Sequence, residues 1–146
     1  KKDYKAAAEA YSKATQLGVE EAPVHYRLGW CYNELKRFKE AEPSLKKAVQ
    51  LEDKAAAAWL EWGYSLLRTQ RPEEAVQALT RATVLEPKQP LGHLYLGRAF
   101  IQMGQKDKAQ AQVQRLKALD PAAAQQLQQE VKKLTGKTSS ARPGGT

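Results

Sequence analysis

Apolar residues recur along this chain at steps of three and four, the spacing of one face of a helix. Tyr4, Ala7, Tyr11, Ala14 and Leu17 form the first stripe, and Leu127, Val131 and Leu134 form the last. Between stripes lie Lys36-Arg37, Gln70-Arg71-Pro72 and Gly104-Gln105, polar or helix-breaking residues suited to tight antiparallel turns. Pro72 falls where a helix begins, with Glu73 and Glu74 in its first turn near the positive end of the helix dipole. Pro87 and Pro121 mark the ends of two others. The pattern predicts an all-α chain of antiparallel hairpins without a β-strand.

The stripes repeat. Leu28-Gly29 returns as Trp62-Gly63 and again as Leu96-Gly97, each 34 residues on. An alanine follows each pair at the same distance (Ala41, Ala75, Ala109), then Ala48, Ala82 and Leu116, then Leu51, Leu85 and Leu119. Each copy closes on Asp53, Pro87 or Pro121, and the two histidines, His25 and His93, stand two periods apart. A glycine inside a helix costs about 1 kcal/mol relative to alanine. Its return three times at one phase predicts a close helix approach, with Ala41, Ala75 and Ala109 as the small facing surface.

The period and its Leu-Gly…Ala…Pro order resemble the tetratricopeptide repeat. The middle copy matches best, with Trp59, Trp62-Gly63, Leu66, Ala75, Leu79, Ala82 and Pro87. The resemblance implies a right-handed α-solenoid of about three and a half repeats plus a capping helix. Its parts are a half repeat at 1–21, full repeats at 22–55, 56–89 and 90–123, and a cap at 121–134. Two departures stand out: Pro43 lies about one turn inside a helix, which it should bend, and Asp53 replaces the terminal proline, which should loosen that junction.

The ends differ. Repeat stacks need a closing element with a polar outer face, and Gln125, Gln128, Gln129, Glu130, Lys132 and Lys133 supply one opposite the Leu127 stripe. Residues 135–146 (TGKTSSARPGGT) lack periodicity and read as a tail or linker. The half repeat lacks its first helix, so the sequence reads as a cut through a longer array, and self-association through the bare stripe is expected.

Charge adds little to this picture. The net charge of +8 is concentrated in residues 90–146, which carry nine Lys/Arg against three acids. That could attract acidic partners or nucleic acid, although scattered surface charge is usually solvated. No apolar run reaches the roughly 18 residues a membrane span requires. A single cysteine, Cys31, permits no internal disulfide, and no Cys/His cluster suggests a metal.

Catalytic chemistry finds no support. Gly136-Lys137-Thr138 resembles the end of a phosphate loop, but Val131 stands where that loop needs glycine. His25 and His93 occupy a packing phase, and Cys31 a slot for small buried residues. No cofactor, metal or catalytic residue is expected.

The resemblance implies instead a concave groove lined by the first helix of each hairpin. Its positions include Tyr26, Arg27, Trp30, Asn33 and Glu34, then Leu60, Glu61, Tyr64, Leu67 and Arg68, then Leu91, Tyr95, Arg98, Ile101 and Gln102. Each copy sets an aromatic beside an arginine, the residue types that anchor interfaces. The expected function is a scaffold or adaptor module that binds a protein or peptide segment carrying acidic plus apolar residues. Relatives that clamp chaperone tails hold a terminal carboxylate with Lys and Asn, which are missing at the corresponding positions. A regulatory or substrate-gripping domain of a larger enzyme is the alternative. Nucleic acid is disfavoured, because Leu60, Leu67, Leu91 and Ile101 stand where helical RNA readers place polar residues.

Overall fold

A computed structural model describes residues 3–141, with side chains described through Leu134. It contains eight helices and, among the described residues, no strand. These are α1 (Tyr4–Gln16), α2 (Ala22–Glu34), α3 (Phe38–Leu51), α4 (Ala56–Arg68), α5 (Pro72–Leu85), α6 (Pro90–Gln102), α7 (Lys106–Leu119) and α8 (Pro121–Ala141). Pro23, Pro72 and Pro90 sit in first turns, where a missing N–H costs nothing. Pro43 is accommodated within α3, which runs on to Leu51. Helix α8 continues to Ala141, past the expected boundary at Leu134.

The three hairpins α2–α3, α4–α5 and α6–α7 close through one repeated device. Lys36 (φ 60°), Gln70 (φ 60°) and Gly104 (φ 71°) are left-handed. The next N–H in each case returns to the carbonyl five residues back: Arg37 to Tyr32, Arg71 to Leu66 and Gln105 to Phe100, at 2.8–2.9 Å. That is the Schellman closure of a helix C-terminus.

Every helix packs on its successor. In addition α2 touches α4, α4 touches α6 and α6 touches α8, whereas α3, α5 and α7 do not touch one another. The stack is therefore tighter on the even-numbered side, and it curves with α2, α4, α6 and α8 on the inner wall.

The repeated glycines do mark close approach, but their partners are leucines rather than Ala41, Ala75 and Ala109. A Cβ on Gly29 would lie 2.4 Å from Leu45 Cγ, and one on Gly63 would lie 2.4 Å from Leu79 Cγ. Both leucines are fully buried. At Gly97 the neighbour is Leu127 of α8, with Cδ2 at 2.4 Å. The reason lies one helix away: the residue at the Leu45 and Leu79 phase is Val113, one carbon shorter, so the cap supplies the missing side chain.

The Asp53 junction is also held rather than loose. Trp59 Nε1 donates to the Asp53 carbonyl at 2.8 Å, and Arg81 reaches the Asp53 carboxylate at 3.9 Å. Near the next hairpin turn, Arg71 bridges Glu42 of α3 and Glu74 of α5, tying two outer helices that otherwise do not meet.

Candidate binding groove

The inner wall is laced by one polar or aromatic link per step. Asn33 Nδ2 of α2 donates to the Glu61 carbonyl at 3.0 Å and to the Glu61 carboxylate at 2.9 Å. Gln102 Nε2 of α6 donates to the Leu67 carbonyl at 3.2 Å. Arg98 of α6 grips Glu130 of α8, with Nη2 at 3.0 Å from Oε1 and Nε at 3.2 Å from Oε2. Glu130, expected on the polar outer face of the cap, thus turns inward and is only part-exposed.

At the centre lies an aromatic run across the hairpins. Tyr64 stacks on Tyr95 with ring centroids 5.2 Å apart, and Phe38 meets Tyr64 edge-on at 5.7 Å. Arg68 lies over the Phe38 ring at 4.6 Å and donates to the Tyr64 hydroxyl at 3.0 Å. Rings in this geometry offer apolar area and favour cations on their faces. Periodicity could not single out Phe38, because its phase holds Pro72 and Lys106 in the other copies.

Towards α2 the wall turns acidic. Glu61 is half-buried, and burial pushes its carboxyl above the usual range; the Asn33 hydrogen bond opposes the shift and nearby Glu34 adds to it. Burial also raises Tyr26 and Tyr95, and the Glu61 charge raises both further. Arg27, Glu34 and Arg68 are exposed.

The candidate residues therefore divide. Tyr26, Glu34 and Tyr95 lie near Glu61, and Arg68 and Tyr64 meet Phe38, with Tyr95 stacked on Tyr64. Trp30 packs edge-on against Tyr4 of α1 at 5.3 Å, in the cluster with Ala8, Leu28 and Cys31. Leu60 packs on the core beneath α4 and α5. Arg98 is held by Glu130, and Gln102 spends its amide on α4.

The residues set aside as packing groups behave accordingly. His93 is buried between Gln112 (3.0 Å from Nδ1) and the Pro87 carbonyl (2.7 Å from Nε2). Cys31 is buried, which pushes its thiol up, away from the reactive thiolate. The side chains of Gly136-Lys137-Thr138 lie outside the described residues. An open cleft of about 480 Å³, lined by Asp53, the stacked Trp59 and Trp62, Glu74, Gln77, Ala78 and Arg81, faces away from the aromatic run. It lies on the opposite side of α4 from Tyr64, since at 3.6 residues per turn Trp59 and Trp62 stand roughly 140° and 160° round the helix from that ring.

Two family models, both described as tetratricopeptide repeat, match residues 22–54 and 66–131, together more than half of the chain. The chain belongs to the tetratricopeptide repeat family. Among curated proteins none matches it by sequence. Solved tetratricopeptide structures share its fold. YrrB, described as a TPR protein with an unusual peptide-binding site, superposes with a TM-score of 0.81 at 23% identity, over 86% of this chain and 66% of that one. MamA follows at 0.78 and 22%, over 94% and 92%. The first TPR of Spaghetti (RPAP3), bound to the HSP90 peptide SRMEEVD, gives 0.71 at 17%, over 81% and 99%. A tetratricopeptide fold with such neighbours supports a protein-interaction module, and the fold is typically used for interaction rather than catalysis.

Proposed function

We propose that the chain binds an extended or helical segment of a partner protein along its inner wall, as a scaffold or adaptor. The observation that carries this reading is the Tyr64–Tyr95 stack between α4 and α6 on the inner wall, met at its edge by Phe38 of α3, all three part-exposed. Aromatic side chains that remain accessible beside a curved wall are suited to anchor an apolar group. Of the two ligand features expected from sequence, the apolar anchor keeps its support. The acidic one is weakened, because Arg98 is paired with Glu130 and Arg68 is engaged with rings.

The test uses short peptides selected from a random display library on the intact protein. Tyr64→Ala should weaken the selected peptides by about 2 kcal/mol, the loss typical of an anchor. Circular dichroism should show the variant folded, and amide shifts should map to α2, α4 and α6. Peptides that instead perturb Trp59 and Trp62 and ignore Tyr64→Ala would move the site to the cleft on the other side of α4.

A further inference from the structure

The inner wall holds a surplus of hydrogen-bond acceptors at one place. Glu61 is half-buried, yet its carboxylate takes a single side-chain hydrogen bond, from Asn33 Nδ2, and among the described residues no cation lies within 4 Å of it. Asn33 itself is 4% exposed, and its Oδ1 accepts no hydrogen bond. Glu34, one residue along α2, adds a second negative charge close enough to disfavour ionisation of Glu61. Both oxygens of Glu130 are occupied by Arg98, so the nearest arginine on α6 is turned to the cap instead of to Glu61.

A buried charge without a counter-charge is costly, and so is a buried acceptor without a donor. Removing the cost by a second carboxylate is impossible, since it would meet Glu34 and Glu61. A cation that donates hydrogen bonds supplies the missing counter-charge to the Glu61 carboxylate, which Asn33 alone now serves. The aromatic neighbours agree, because rings such as those of Tyr26 and Tyr95 accept ammonium and guanidinium groups on their faces. We propose that Glu61, with Glu34, receives a lysine or arginine side chain of the partner segment whose apolar anchor lies on the Tyr64–Tyr95 stack. This rests on the groove reading above and deepens it. It also reverses the charge expected of the ligand.

Glu61→Gln is the informative change, because a glutamine oxygen can still accept from Asn33 and keep the α2–α4 link. Peptides selected from a random display library on the wild-type protein should carry Lys or Arg at a fixed distance from an apolar residue. By calorimetric titration, Glu61→Gln should weaken such a peptide about tenfold or more, the range for a hydrogen bond to a charged group. The same peptide with norleucine for its basic residue should bind both proteins alike. Selected peptides that are neutral or acidic at that position, or unchanged binding to Glu61→Gln, would overturn the proposal while leaving the groove intact. Peptides indifferent to Tyr64→Ala would remove the groove reading and this one with it.

Thermal stability provides a second readout. The ionisable groups that interact with Glu61 are Tyr26 and Glu34 on α2 and Tyr95 on α6; the same elements also carry His25, Arg27, Cys31 and Tyr32, then Tyr64 and Arg68, then His93 and Arg98. Burial raises the Glu61 carboxyl in the fold, so its ionised form destabilises above the folded value, and the penalty disappears as pH falls through it. Glu61→Gln should therefore melt above wild type at neutral pH, with the gap closing towards about pH 3, below the ordinary carboxylate values. A variant that melts lower at neutral pH would show the carboxylate to be structural and overturn the proposal.

Discussion

The two ends of the solenoid are packed differently. Among the described residues, α1 packs on α2 alone and α8 on the α6–α7 hairpin. At the C-terminal end α8 enters the core: Leu127 is 0% exposed, Val131 1%, and Ala123 and Ala124 are buried beside Leu94, Val113 and Leu116. It also binds on both flanks, through Glu130 to α6 and through reciprocal Gln110–Gln128 amide bonds to α7. At the other end α1 buries only Ala8, while Tyr4, Ala7, Tyr11 and Ala14 stay half-covered and Leu17 is 77% exposed. An end is closed by side chains that complete a neighbour's packing. Mere contact along a helix leaves it open.

The largest expected difference between the ends comes from cavity formation. Leu127→Ala should cost about 3 kcal/mol by urea denaturation, because it removes a fully enclosed side chain from three packed helices. Tyr11→Ala should cost about 1 kcal/mol, since water already reaches that stripe. Equal losses would abolish the contrast between a closed and an open end.

The glycines sharpen it at smaller scale. Gly29→Ala drives a methyl into the branch carbon of Leu45, which cannot leave without backbone movement. Overpacking of this kind costs about 1–3 kcal/mol, and the gain in helix propensity returns about 1. Gly97→Ala meets the Cδ2 and Cδ1 methyls of Leu127 at 2.4 and 3.0 Å but leaves its branch carbon at 3.2 Å, so the strain falls on the end of the side chain. Thermal melts should show both variants destabilised, Gly29→Ala more than Gly97→Ala.

The smallest effect concerns association. The half-covered α1 stripe should produce weak, concentration-dependent dimerisation in sedimentation experiments, at or below the low end of specific interfaces. Leu17→Lys should abolish it and leave stability within about 0.5 kcal/mol, as for exposed substitutions. A wild-type chain that stays monomeric at high concentration would mean that the half-covered stripe is sufficient as it stands.

How much of this was legible depended on whether the cause was periodic. The helices and their turns follow from a pattern repeated three times, and Pro72 and Gly104 sit where that pattern places them. The glycine partners were not legible, because Ala41 and Leu45 share a helix face and only the packed pair distinguishes them. Pairings outside the repeat were hidden for the same reason. Nothing in the sequence joins Arg98 to Glu130, 32 residues away, or Trp30 to Tyr4, where the half repeat meets the first full one. On the inner wall, residue identities were readable but their engagements were not: Arg98 pairs with Glu130 and Arg68 lies over the Phe38 ring. The α8 boundary failed because TGKTSSA carries no apolar period that could extend or stop a helix.

The three left-handed turns also act as a set of equal angular joints. In a curved stack each joint is a lever: an error of a few degrees at one hairpin displaces everything beyond it, and the displacement grows with distance. Gly104 adopts its φ freely, whereas Lys36 and Gln70 adopt nearly the same value against a steric penalty of about 1–2 kcal/mol. The penalty is tolerated at two joints, and the angle is kept at all three. None of these residues belongs to the wall that carries Tyr64 and Tyr95, yet the alignment of rings from successive hairpins depends on the joints turning alike. The shape of the inner wall is thus set in part at the hairpin turns, by backbone handedness.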